Sequence, residues 1–163
     1  MAKEIERKFR VRSDAWRAEV KRCTLLRQGY LANTERASIR VRLEGERALL
    51  SVKSMERGLS RDEYEVPLPM ADAREMLDRL CEGIPIEKKR YIVLHEGSEW
   101  EIDEFLAENA GLVIAELELE SEDASFARPA WLGPEITHEE RYYNFRLSQK
   151  PYRHWPENLR AGA

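Results

Sequence analysis

The chain reads as a mainly β protein: a closed eight-stranded antiparallel barrel with a few flanking helices. Three observations predict it. About eight segments alternate apolar and polar residues with the period of a strand. Their polar positions hold Glu, Arg and Lys almost exclusively, where a solvated sheet face would also use Thr, Ser, Gln and Asn. Like charges recur at i, i+2, as in Glu4/Glu6, Arg40/Arg42, Lys88/Arg90 and Glu116/Glu118. Such pairs repel unless an opposite charge sits between them. Closing the sheet removes exposed edges and turns the charged parity inward, where each charge needs a partner.

Composition sets the frame. A chain of 163 residues with 42% hydrophobic residues is read as one core-forming domain over 1–148, followed by an irregular, fraying tail over 149–163. Charged residues make up 36%, well above the usual quarter, yet the formal net charge is only −4. That balance excludes a strongly basic nucleic-acid surface and an acidic tail. Cys23 and Cys81 form no C-x-x-C and read as reduced thiols of a cytoplasmic protein. The N-terminus enters a strand directly, and no apolar run is long enough to span a bilayer, so neither a leader nor a membrane anchor is expected.

The first strand, over 3–11, places Ile5, Phe9 and Val11 on one parity and Glu4, Glu6, Lys8 and Arg10 on the other. Ser13 is expected to cap a short helix over 14–22 with Ala15, Trp16 and Val20 inward. Residues 25–31 form the second strand. Residues 37–43 and 47–54 make a hairpin around Glu44-Gly45-Glu46, and 61–66 follow, closed by Pro67. The period then changes. Ala73, Met76, Leu77 and Leu80 make an apolar helical stripe over 72–81 that stops near Gly83. Strands over 86–95, 99–105 and 112–120 complete the set. Thr137-His138-Glu139-Glu140 fits a capping box, with a helix to about Ser148.

The inward parities supply an anionic set (Glu4, Glu6, Glu63, Glu65, Glu101, Asp103, Glu116, Glu118) and a cationic set (Lys8, Arg40, Arg42, Lys53, Lys88, Arg90). A polyphosphate carrying a divalent metal satisfies both. Arg and Lys take phosphate oxygens, and paired carboxylates take Mg²⁺ or Mn²⁺. A lumen lined with charge disfavours an apolar ligand. His95, His138 and His154 lack metal-ligand spacing, and Ser51 and Ser54 lack a triad. Trp100, Trp131 and Trp155 read as packing residues.

Glu4-Ile5-Glu6-Arg7-Lys8 resembles the ExExK signature of the CYTH superfamily, the triphosphate tunnel metalloenzymes. Ser38-x-Arg40-x-Arg42, Lys53, Glu63-x-Glu65, Lys88-x-Arg90, Asp103 and Glu116-x-Glu118 follow in that family's order, so the resemblance spans roughly residues 3–147. It implies an eight-stranded tunnel that binds triphosphate compounds with divalent metal. It also implies roles: Glu4, Glu6, Glu63, Glu116 and Glu118 at the metal, with Glu65 and Asp103 behind them. Lys8, Arg40, Arg42, Lys53, Lys88 and Arg90 would hold phosphates. Lys8, Tyr30 and Lys53 are the residues expected to act in catalysis, Tyr30 by closing a tunnel mouth or assisting water. A packed barrel aromatic is an equal reading for Tyr30. Arg27-Gln28-Gly29-Tyr30-Leu31 and Gly58-Leu59-Ser60-Arg61 resemble the short bacterial members that cleave inorganic triphosphate, and Arg141-Tyr142-Tyr143-Asn144 resembles the family's plugging C-terminal helix. The implied activity is metal-dependent hydrolysis of inorganic triphosphate. Alternatives are a class IV adenylyl cyclase, a thiamine or nucleoside triphosphatase, and a non-enzymatic polyphosphate-binding module. The only partner expected is the small-molecule substrate, with neither nucleic acid nor membrane; a homodimer is compatible with the resemblance.

Overall fold

The computed structural model describes residues 2–55 and 60–160. Nine antiparallel strands run in the order β5-β4-β3-β2-β6-β7-β8-β1-β9, and β5 also pairs with β1, so the first eight close on themselves. They are β1 (Ala2–Val11), β2 (Val20–Asn33), β3 (Ala37–Glu44), β4 (Arg47–Ser54), β5 (Ser60–Pro67), β6 (Glu82–His95), β7 (Ser98–Phe105), β8 (Val113–Glu118) and β9 (Leu132–Glu135). β1 is the closing strand. Its residues 2–5 face β5, residues 6–10 face β8, and Phe9 and Val11 meet β9, which takes over the edge that β5 leaves.

The barrel is built inside out. Apolar parities point outward and are covered; charged parities point in. Phe9, Val93, Trp100, Ile102 and Leu117 pack under Trp16, Trp131 and Leu132. Val41 and Ala48 pack under Ala73 and Leu77 of helix α1 (Met70–Arg79). Ile86, Phe105 and Ile114 pack under Tyr142, Leu147, Tyr152 and Trp155. The three tryptophans read as packing residues are all buried. Among the described residues no helix is long and apolar enough to cross a membrane.

Several elements depart from the sequence reading. The helix expected over 14–22 is a single 3-10 turn, Ala15–Glu19, because Val20 already pairs with Val93. Trp16 nonetheless reaches the core, its ring 5.0 Å from Tyr91. β2 and β6 are each 14 residues long, longer than their apolar runs, because each lends its hydrogen bonds to the other beyond the alternating part. α1 begins two residues early, directly after Pro69, whose fixed φ suits a helix start. Leu80, expected in its apolar stripe, is exposed.

β9 was not expected. It contains Gly133 and Pro134, which argue against a strand. Gly133 is needed because a Cβ there would stand 2.8 Å from the Arg10 carbonyl oxygen. The capping box also fails. Thr137 Oγ1 accepts from the Lys8 backbone N–H at 3.0 Å and donates to Glu135 at 2.6 Å, so its hydroxyl serves β1 and not a helix. The expected helix is split into a 3-10 turn, Glu140–Tyr142, and α2 (Asn144–Gln149).

The segment after Pro151, expected to be irregular, forms a 3-10 turn at Tyr152–His154 and the single turn α3 (Glu157–Arg160). The Tyr152 backbone N–H donates to Asn109 Oδ1 at 2.9 Å, and Trp155 Nε1 donates to the Lys150 carbonyl at 3.0 Å. Both rings are buried beside Tyr142. Trp155→Ala is therefore expected to cost about 3–5 kcal/mol, read by denaturant unfolding. A fraying tail would give no change.

Candidate active site

The strand order sorts the charges. Going round the barrel, β7, β8, β1 and β5 are consecutive and carry Glu101, Glu116, Glu118, Glu4, Glu6, Glu63 and Glu65. β4, β3 and β6, with β2 between the last two, carry Lys53, Arg40, Arg42, Lys88 and Arg90. All of these side chains line one cavity of about 1250 Å³. An acidic wall thus faces a cationic wall across the tunnel. Lys3 and Lys8 on β1 and Arg61 on β5 are cations set into the acidic side.

Register explains the local spacing. Glu6 lies opposite Glu118, and Lys8 opposite Glu116, across the β1–β8 pair. Lys53 lies opposite Glu63 across β4–β5. As the side chains stand, cations occupy the gaps between carboxylates. Lys53 Nζ is 2.8 Å from Glu4, and Lys8 Nζ is 3.7 Å from Glu6 and 3.8 Å from Glu116. Among the described residues no three acidic, imidazole or thiol groups converge tightly enough to hold an ion in this arrangement. Burial raises Glu118 above the usual carboxylate range, and repulsion from Glu4, Glu6 and Glu63 adds to it. That repulsion marks a place where positive charge is favourable.

Asp103 does not line the cavity. It is fully buried behind the cationic wall, bidentate to Arg90 at 2.8 and 2.9 Å and 2.7 Å from Lys88 Nζ. Burial would raise its carboxyl, but Arg90 and Lys88 hold it well below the usual range. Its work is to fix two cations of that wall. Arg90 also reaches Glu101 at 2.9 Å. Burial pushes Lys88 down to about 8 against the pull of Asp103, and Arg42 down to about 10 with Arg40 and Arg90 repelling it. Lys8 goes the other way: burial opposes its charge, but Glu116 and Glu6 outweigh it and raise the group. Arg40 is buried, and its Nε has no partner among the described residues.

Tyr30 is buried at the tunnel wall, edge-on to Phe145 of α2 with centroids 5.4 Å apart. α2 lies against β2 and β6, and Tyr143, Asn144 and Phe145 line the cavity. Within the motif Gly58-Leu59-Ser60-Arg61, Gly58 and Leu59 lie outside the described residues, while Arg61 faces the tunnel. Cys81 stands just past α1 and is half-buried, its thiol pushed up by burial.

The sequence reading quoted Arg61, Gln28, Tyr143 and Asn144 within its motifs but gave none of them a role of its own in the site. Arg61 shares the parity of Glu63 and Glu65, and that parity could have revealed it. Gln28 shares parity with Tyr30, but an uncharged amide carries no signal of its own. Tyr143 precedes and Asn144 opens a short helix whose boundaries the capping pattern misplaced.

The CYTH domain family matches residues 2–151. An inorganic triphosphatase of Acetivibrio thermocellus is 47% identical over 157 residues, covering 96% of this chain and 100% of that protein. One of Nitrosomonas europaea is 39% identical over 149 residues, covering 89% and 96%. The crystal structure of the inorganic triphosphatase NE1496 superposes with a TM-score of 0.65 at 36% identity, covering 91% of this chain and 95% of that one. The closed barrel, its inward charges and these likenesses agree: this chain belongs to the CYTH domain family.

Proposed function

We propose that the protein hydrolyses inorganic triphosphate to pyrophosphate and phosphate with a divalent metal, Mg²⁺ or Mn²⁺. The observation that carries this is the opposition of an acidic wall and a cationic wall in one tunnel. A chain of phosphates fits the cations on one side and needs metal to approach the carboxylates on the other. Relatives named inorganic triphosphatase at 47% and 39% identity support the choice of substrate.

The donor set fits a hard cation. Glu4, Glu6, Glu63, Glu116 and Glu118 offer oxygen only, as Mg²⁺ and Mn²⁺ prefer. Holding an ion requires Glu4 to leave Lys53 and Glu116 to leave Lys8, which frees both lysines for phosphate. When bound, the metal supplies charge neutralisation and lowers the pKa of a coordinated water.

The chain's own residues do the rest. Arg40, Arg42, Lys88 and Arg90 bind phosphate oxygens and stabilise the charge that spreads as the P–O bond breaks. Lys8 reaches in from the acidic wall on β1, and Lys53 stands on β4 where the two walls meet; these are the cations nearest the carboxylates, where attacking water and leaving oxygen are handled. Tyr30 closes the wall beside them. Water adds to the terminal phosphorus in line, the bridging oxygen leaves with pyrophosphate, and no covalent intermediate is needed.

Product analysis by ³¹P NMR on tripolyphosphate, thiamine triphosphate and ATP tests this. Cleavage of tripolyphosphate well ahead of the others is expected. Cyclic AMP and pyrophosphate from ATP would overturn the reading in favour of a cyclase.

A pH profile follows from Lys88. The free enzyme loses that proton near pH 8, so kcat/KM for tripolyphosphate is expected to fall as pH rises through that value. In Lys88→Arg the cation persists, and the alkaline limb should move to higher pH.

A further inference from the structure

We propose that Asn144, on α2, is a direct phosphate ligand: its side-chain amide Nδ2 donates to the triphosphate at the α2 end of the tunnel. This rests on the triphosphatase reading above.

The orientation of Asn144 is dictated by donors that cannot accept. Arg42 Nε donates to Gln28 Oε1 at 3.1 Å, and a guanidinium has no lone pair to offer in return. Gln28 is therefore turned with Nε2 outward, and Nε2 donates to Asn144 Oδ1 at 2.8 Å. Lys88 Nζ, also donor-only, reaches the same Oδ1 at 3.0 Å. Two donors from two strands fix which end of the Asn144 amide is oxygen. Flipping it would set three donors against one another.

That leaves the NH₂ end. Among the described residues Nδ2 has no partner, although Asn144 is largely buried. The residue lines the same cavity as Lys88, Arg42 and Arg90. Two N–H groups face a space built for an anion, held by the cations of that space. A neutral donor in such a place adds directional hydrogen bonds where more positive charge would only repel Arg42 and Lys88. It also makes α2 part of the binding site and not just a cover over its end.

Asn144→Asp keeps the acceptor that Gln28 and Lys88 need and removes the donor. KM for tripolyphosphate is expected to rise roughly tenfold to a hundredfold, with thermal stability unchanged or increased. The new carboxylate also attracts Lys88, so a second readout watches the amide itself. In ¹⁵N–¹H spectra of the wild-type protein, the Asn144 side-chain pair is identified by its loss in Asn144→Asp. Saturation with Mg²⁺ and diimidotriphosphate, the triphosphate with both bridging oxygens replaced by NH, should move at least one Nδ2 proton downfield. A ligand that shifts the Arg42 Nε–H signal but leaves the Asn144 pair in place overturns this inference and leaves the triphosphatase reading standing. Absence of any shift and of any binding heat overturns both.

Discussion

Glu116→Gln and Glu6→Gln are each expected to lower tripolyphosphate turnover by about a thousandfold or more while the barrel stays folded. The reasoning is electrostatic. Glutamine keeps the size and one oxygen of glutamate but not its charge, and the acidic wall works through charge. Among the described residues these two carboxylates pair only with Lys8 and, at 3.9 Å, Arg90. Lys8 has both carboxylates as neighbours, and Arg90 is held chiefly by Asp103, so neither cation is stranded by one substitution. Stability should therefore change little. Steady-state phosphate release together with thermal unfolding checks the pair of expectations. Turnover unchanged in both variants would refute the metal assignment. Unfolding in both would make these residues structural.

Asp103→Ala is expected to act the opposite way, through the fold. It removes the carboxylate that, among the described residues, stands behind the cationic wall, and leaves Lys88 and Arg90 buried with a lost partner. Breaking a buried ion pair in this way costs about 3–5 kcal/mol. Denaturant unfolding should show that loss directly. The pH dependence has a definite sign. Asp103 in the folded protein sits below its unfolded pKa of about 4, so its stabilisation is complete above that pH and is lost as pH falls further. Wild-type stability should decline on acidification below about pH 4. Asp103→Asn should be less stable at neutral pH and flatter in acid.

The two substitutions separate what was legible in the sequence from what was not. Alternation in β1, β3, β6 and β8 exposed both walls, because a period of two assigns every side chain to a face. Glu4, Glu6, Lys8, Arg40, Arg42, Lys88, Arg90, Glu116 and Glu118 all reach the tunnel for that reason. Asp103 has the right parity yet is screened from the cavity, since Arg90 and Lys88 fold over it; parity gives a face but not a depth. β9 escaped because its pairing comes from the Phe9 and Val11 edge of β1, not from any pattern of its own. Thr137 misled for a related reason. Its hydroxyl can cap a helix or bond a strand, and only the nearness of Lys8 decides. Leu80 satisfied the helical stripe, but α1 ends before it and its side chain stands exposed. Gln28 and Asn144 are neutral, and their importance arises from two donor-only groups brought together from distant parts of the chain.

If phosphate and metal meet between the two walls, phosphate release from tripolyphosphate must follow Mg²⁺ as it is titrated in and then removed by chelator. Turnover that appears with metal, vanishes with chelator and returns on re-addition is the predicted result. Turnover indifferent to chelator, or none at any metal concentration, would contradict the account.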